Sequence, residues 1–184
     1  MTVEPDPTVS VAVSGDASAS VAQGATESVT ICSGEDLTVN PATTITGVSG
    51  TGDMKYSLGV VTTGTIGGIP TNGTVSDFAT DILTAGVLTN TTLTNQKLTL
   101  TVTPFVDAND NDVLDAGECT GTAATLEVIV EPDPTVSVSL DVNGGGAATL
   151  TQTGTTDVSH KNLKLPTKRK VKITDVRVDS KNRK

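Results

Sequence analysis

Residues 107–118 read Asp-Ala-Asn-Asp-Asn-Asp-Val-Leu-Asp-Ala-Gly-Glu, five carboxylates in twelve positions with no Lys or Arg among them. A segment of this kind repels itself when folded unless a cation sits among its side chains. Asp107, Asn109, Asn111, Val113, Asp115 and Glu118 fall at positions 1, 3, 5, 7, 9 and 12 of a calcium loop. In such a loop side-chain oxygens, one backbone carbonyl and a final bidentate Glu converge on a hard cation. The pattern departs at position 6, where Asp112 replaces the usual Gly, although Asp tolerates the left-handed backbone of a sharp turn. The competing reading is a solvated acidic hairpin loop.

Little else in the chain is chemical. Cys32 and Cys119 are the only cysteines and His160 the only histidine. A metal site built on both cysteines would want His partners, so the expectation is a Cys32–Cys119 disulfide, with a pair of buried thiols as the alternative. A bridge would place the protein outside a reducing cytosol. No His lies inside the main body to serve as a base, and no glycine-rich loop precedes a helix, so no enzymatic activity is expected. Lys55 and Lys97 are expected to be ordinary strand-edge lysines, with an intramolecular isopeptide to an Asn or Asp as the alternative. Asn72 and Asn90 stand in glycosylation sequons.

The elements that position these residues must be strands. Thr, Val, Gly and Ser abound, while Tyr56, Phe78 and Phe105 are the only aromatics, a mixture suited to short β-branched strands joined by turns. Alternation predicts strands over residues 8–13, 28–32, 37–39, 44–48, 54–61, 97–105 and 124–130, with a short helix or turn at 75–83. Tyr56 and Leu58 share one face, and Leu98, Leu100 and Val102 point inward. No run of about 18 apolar residues is present, so no membrane span is expected. The first residues lack the pattern of a secretory signal, and Met1 reads as the start of a fragment excised from a longer secreted protein.

Charge divides the chain. Residues 1–160 carry 19 acidic and two basic residues, net −17, whereas 161–184 carry ten basic and two acidic, net +8. The acidic body excludes nucleic acid and anionic membranes as partners. A repeat divides the chain again: the nine residues Val-Glu-Pro-Asp-Pro-Thr-Val-Ser-Val at 3–11 recur unchanged at 130–138, a period of 127. The chain is therefore expected to hold one complete module and the start of a second repeat. The expected divisions are a spacer at 1–7, a module at 8–130, a Pro-rich spacer at 131–134, the beginning of the next repeat at 135–160 and a basic tail at 161–184 that is either a non-native end, a solvated appendage or an added strand. Each Glu-Pro-Asp-Pro segment is a semi-rigid spacer. Because the acidic loop precedes the last strand, an ion in it is expected to stiffen the end from which the next module departs.

Ile31-Cys32-Ser33-Gly34, the strand Leu-Thr-Leu-Thr-Val-Thr-Pro at 98–104, Cys119-Thr120-Gly121 and the closing Leu-Glu-Val-Ile-Val-Glu-Pro at 126–132 resemble PKD-like, immunoglobulin-like repeats of large Bacteroidota surface adhesins, including those of gliding motility. The resemblance covers residues 8–134. It implies an antiparallel Ig-like β-sandwich within a long, secreted, surface-anchored protein, with neighbouring modules and surface glycans or substrata as partners. The loop at 107–118 expands what is usually a short turn in that family, so calcium rests on the residues alone. The expected function is that of an extracellular, calcium-stiffened stalk segment; the alternatives are a glycan-binding module and a filament subunit joined by strand addition through its tail.

Overall fold

The computed structural model describes residues 6–44, 52–78, 80–142 and 145–153. The chain divides into two compact units, Met1–Pro132 and Asp133–Lys184. Every regular element among the described residues is a strand.

In the first unit, period-two alternation carries the apolar residues inward. β1 (Ser10–Gly15) buries Val11 and Val13, β2 (Ala19–Ala22) Val21, β3 (Thr26–Cys32) Val29 and Ile31, and β4 (Leu37–Ala42) Leu37 and Val39. β5 (Asp53–Thr63) buries Tyr56 and Leu58, and β6 (Val75–Asp77) is a three-residue edge. β7 (Gln96–Asp107) buries Leu98, Leu100 and Val102, and β8 (Ala124–Glu131) buries Ala124, Leu126, Val128 and Val130. One sheet has the order β2-β1-β4, the other β3-β8-β7-β5-β6, and residues of both merge into a single aliphatic core. The result is a sandwich-like all-β fold. Its aromatic content is an edge-to-face pair, Tyr56 and Phe78 with ring centres 5.5 Å apart, and Phe105, fully buried near the end of β7.

Four expectations are corrected. The sandwich is not wholly antiparallel, because β3 pairs with β8 in parallel, Thr26 opposite Thr125 through Cys32 opposite Glu131. The cause is a change of sheet. After β2 the chain crosses over at Gly24, whose amide donates to Ala123 O, and enters the second sheet at the end where β8 begins, so both strands run the same way. Second, β4 runs through Asn40-Pro41, with Pro41 on an antiparallel register opposite Val11, and β2 is an additional strand. The expected strand over 44–48 lies outside the described residues beyond Thr44. Third, residues 75–77 of the segment expected as a helix or turn pair with β5 as a strand, and the turn begins at Phe78.

The fourth correction concerns the cysteines. Cys32 closes β3 opposite Glu131, at the end of the sheet where Val130 pairs with Gln96, whereas the carbonyl of Cys119 accepts from the amide of Val106. The strand from Gln96 to Val106 spans about 33 Å, and a disulfide needs Cα atoms within about 7 Å. The two cysteines sit at opposite ends of the five-stranded sheet and are not bonded to each other. The compartment argument that leaned on a bridge goes with it.

In the second unit β9 (Thr135–Val142) and β10 (Gly145–Thr153) form an antiparallel hairpin. The repeated nine residues thus open a hairpin in both places. Val11 pairs with Val21, while its counterpart Val138 pairs with Leu150, which makes the second hairpin two residues longer. Residues 154–184, including the basic tail, lie outside the described residues.

Candidate metal centre

β5 and β7 form the longest pairing of the fold, eleven residues from Asp53–Asp107 to Thr63–Lys97. This long ladder fixes where the acidic loop begins. Gly52 is required there by proximity: a Cβ on it would lie 2.9 Å from the carbonyl oxygen of Asp107. The loop returns through Cys119 O on Val106 N and Gly121 N on Pro104 O, both at 2.9 Å, so that Thr120 bridges to Phe105. This return segment pairs with β7 beyond Val102, where the pairing of β7 with β8 ends.

Inside the loop, backbone amides hold the two terminal carboxylates. Asp107 is fully buried; its Oδ1 accepts from Asn111 N at 3.2 Å and its Oδ2 from Asp112 N at 2.8 Å. Glu118 closes the ring, Oε1 accepting from Ala108 N and Oε2 from Asp115 N, each at 2.9 Å. Asp115 Oδ2 accepts from the side-chain amides of Asn109 at 3.0 Å and Asn111 at 2.8 Å. Asn111 Oδ1 accepts from Val113 N at 2.9 Å, a local Asx turn. Asp110 and Asp112 adopt φ of 57° and 59°, so the position that lacks the usual Gly does take the left-handed conformation.

All six positions expected to surround a cation lie on this one compact loop. The donor chemistry, carboxylate and amide oxygens with one backbone carbonyl, fits a hard cation. The side-chain orientations fit less closely. Asn109 and Asn111 turn N–H groups, not oxygens, toward Asp115, and Glu118 is engaged with backbone amides. Among the described residues no three His, Cys, Asp or Glu side chains converge as a ligand cluster. Amide rotation by half a turn at Asn109 and Asn111 would present oxygen instead.

A cation does meet the loop, from a residue that the local pattern of 107–118 cannot show. Lys55 on β5, 7% exposed, donates to Asp112 Oδ1 and lies 3.9 Å from Asp107 Oδ2 and 3.8 Å from Asp77 Oδ1. Only the β5–β7 and β5–β6 registers bring these groups together. The available signal was scarcity: Lys55 and Lys97 are the only basic residues before 161, and Lys97 pairs with Glu127 at 2.7 Å.

The charges settle accordingly. Burial alone would push the Asp107 carboxyl up, but the amides of Asp112, Asn111 and Asp110 and the Lys55 ammonium outweigh it and hold it below the ordinary carboxylate range. The amides of Asn109 and Asn111 do the same for Asp115, against burial and the Asp107 charge. The hydrogen bond to Asp112 holds the Lys55 ammonium above its usual range despite the desolvation that opposes it. A protonated ammonium has no lone pair for amide formation, so this geometry is that of an ion pair.

The loop lies at the end of the module opposite the one expected to stiffen. Gln23 Nε2 donates to Pro7 O at 3.4 Å, and a Cβ on Gly121 would collide with that same carbonyl. Pro7, where the chain enters the module, therefore abuts the return segment of the loop at Gly121, while Glu131 leaves at the far end beside Cys32. Of the two sequons, Asn90 is buried and fully engaged, donating to Thr94 O and Val130 O and accepting from Thr92; Asn72 is exposed and accepts from Val60 N. Comparison of the chain with protein-family models, with curated proteins and with solved structures returns no match.

Proposed function

We propose that residues 8–130 are an Ig-like, PKD-like structural module of a long extracellular adhesive protein, a stalk segment whose acidic loop binds calcium. The observation that carries this reading is the loop itself. Asp107 and Glu118 close it on backbone amides, five oxygen-bearing side chains at calcium-loop spacing line it, and its return segment at Gly121 meets Pro7, where the chain enters the module. An ion bound there would tie the return segment and the β5–β7 ladder together beside Pro7. The module then acts by rigidity and needs no catalytic residue, and its partners are neighbouring modules of the same protein.

The placement of the aromatics favours the stalk over a glycan-binding module. Sugar rings stack on exposed aromatic faces, whereas Tyr56 and Phe105 are buried and Phe78 is packed edge-on against Tyr56. Isothermal titration of calcium into the metal-stripped chain tests the reading. One site per module is expected, weakened at least tenfold in Asp115→Asn, which loses a ligand charge but keeps its shape. Heat that is absent in the wild type, or equal in both proteins, contradicts the site.

A further inference from the structure

Lys55 and Asp112 lie outside the set of six liganding positions, yet they are the most strongly joined charges at the loop. Three carboxylates from three elements face the Lys55 ammonium: Asp77 from β6, Asp107 from the end of β7 and Asp112 from the loop. Lys55 is almost wholly buried and Asp107 completely so, whereas Asp112 and Asp77 are largely exposed, with side chains 71% and 70% accessible. The same Asp112 supplies the backbone amide that holds Asp107 Oδ2. One residue therefore joins the loop to β5 by its side chain and to β7 by its main chain. Glycine, the usual occupant of this position, would give the second contact but not the first.

We propose that Lys55 is a latch and a built-in competitor of the bound cation. It fixes the acidic loop to β5 through Asp112 when no ion is present, and because it shares Asp107 it sets the calcium affinity below what the loop carboxylates alone would give. The competition follows from like charges on one carboxylate: a divalent ion on Asp107 lies close to an ammonium already 3.9 Å from the same group, in a poorly solvated place. The latch follows from geometry, and needs no ion. The competitive half rests on the calcium reading given above.

Two variants separate the two halves. Lys55→Met keeps the aliphatic stem and removes the charge; Asp112→Asn removes the acceptor charge at an exposed residue, changes none of the six liganding positions and tolerates the same left-handed backbone. In EDTA, amide hydrogen exchange at Asn111 and Asp112, which donate to Asp107, should be about fivefold faster in both variants, with Leu100 in the middle of β7 unchanged. In calcium titrations the variants should diverge. Lys55→Met tightens binding by about tenfold, and Asp112→Asn weakens it severalfold through loss of a nearby negative charge. A residue that served packing alone would weaken calcium binding in both. Unchanged exchange at Asn111 and Asp112 overturns the latch. Calcium binding that weakens in Lys55→Met overturns the competition. Absence of binding in the wild type overturns the calcium reading and the competition with it, and exchange alone then decides the latch.

Discussion

Asp107 ends β7, accepts the amides of Asn111 and Asp112 and faces the Lys55 ammonium. Its carboxyl and that of Asp115 are both held below the ordinary range, so each binds fewer protons in the folded than in the unfolded chain. The stability they contribute is complete above the ordinary carboxylate range, near pH 4, and is lost as pH falls through their depressed values. Metal-free melting temperature should therefore be level from about pH 6 to pH 5 and fall in more acid buffer, with a shallower fall in Asp115→Asn. An equal acid slope in the two proteins would mean that Asp115 contributes no such charge. Gly52 is the other residue on which the loop depends. Gly52→Ala drives a methyl into the Asp107 carbonyl and should cost about 1–3 kcal/mol in chemical denaturation, as overpacking does elsewhere. An unaltered midpoint would show that the backbones can separate without penalty.

Among the elements, β7 and β8 were legible because a long uninterrupted alternation leaves one register that buries Leu98, Leu100 and Val102 against Leu126 and Val128. β2 was not, since Ala-Ser-Val-Ala offers a single buried valine and exists because β1 supplies a partner. The residues between β5 and β7, apart from β6, were the least decided, offering only a helix or turn at 75–83, and for a different reason. They are ordered by single bridges, Gly67 with Thr89 and Val39 with Leu83, and by the buried Asn90, which ties its loop to Ser33 and Val130. Such contacts join residues distant in sequence and leave no periodicity. Asn90→Ala removes the buried amide that donates to the Val130 and Thr94 carbonyls, and should lower unfolding free energy by about 3 kcal/mol in urea. A loss under about 1 kcal/mol would mean that water replaces the amide without cost.

At the scale of the whole molecule, sequence patterning was right about the all-β class and wrong about the ends. Strand content follows from local alternation, but which end of a strand a residue reaches depends on strand direction. One parallel pair, β3 with β8, sends Cys32 to the opposite end from Cys119 and the acidic loop. A melt should therefore be indifferent to reductant; a fall of the size an 87-residue loop closure provides, about 4–5 kcal/mol, would contradict the observed separation. The two lysines among 19 acidic residues are likewise explained only by the assembled registers, each lysine meeting a carboxylate across a sheet or loop. In the proposed reading the loop is the calcium-dependent stiffener of the end where Pro7 enters the module. Its most direct test is the melting temperature of the whole chain in EDTA and in calcium about a hundredfold above the dissociation constant. An ion bound only by the folded chain adds about 2.7 kcal/mol there and should raise the midpoint by about 5–10 °C. A midpoint that stays constant up to millimolar calcium would contradict the account.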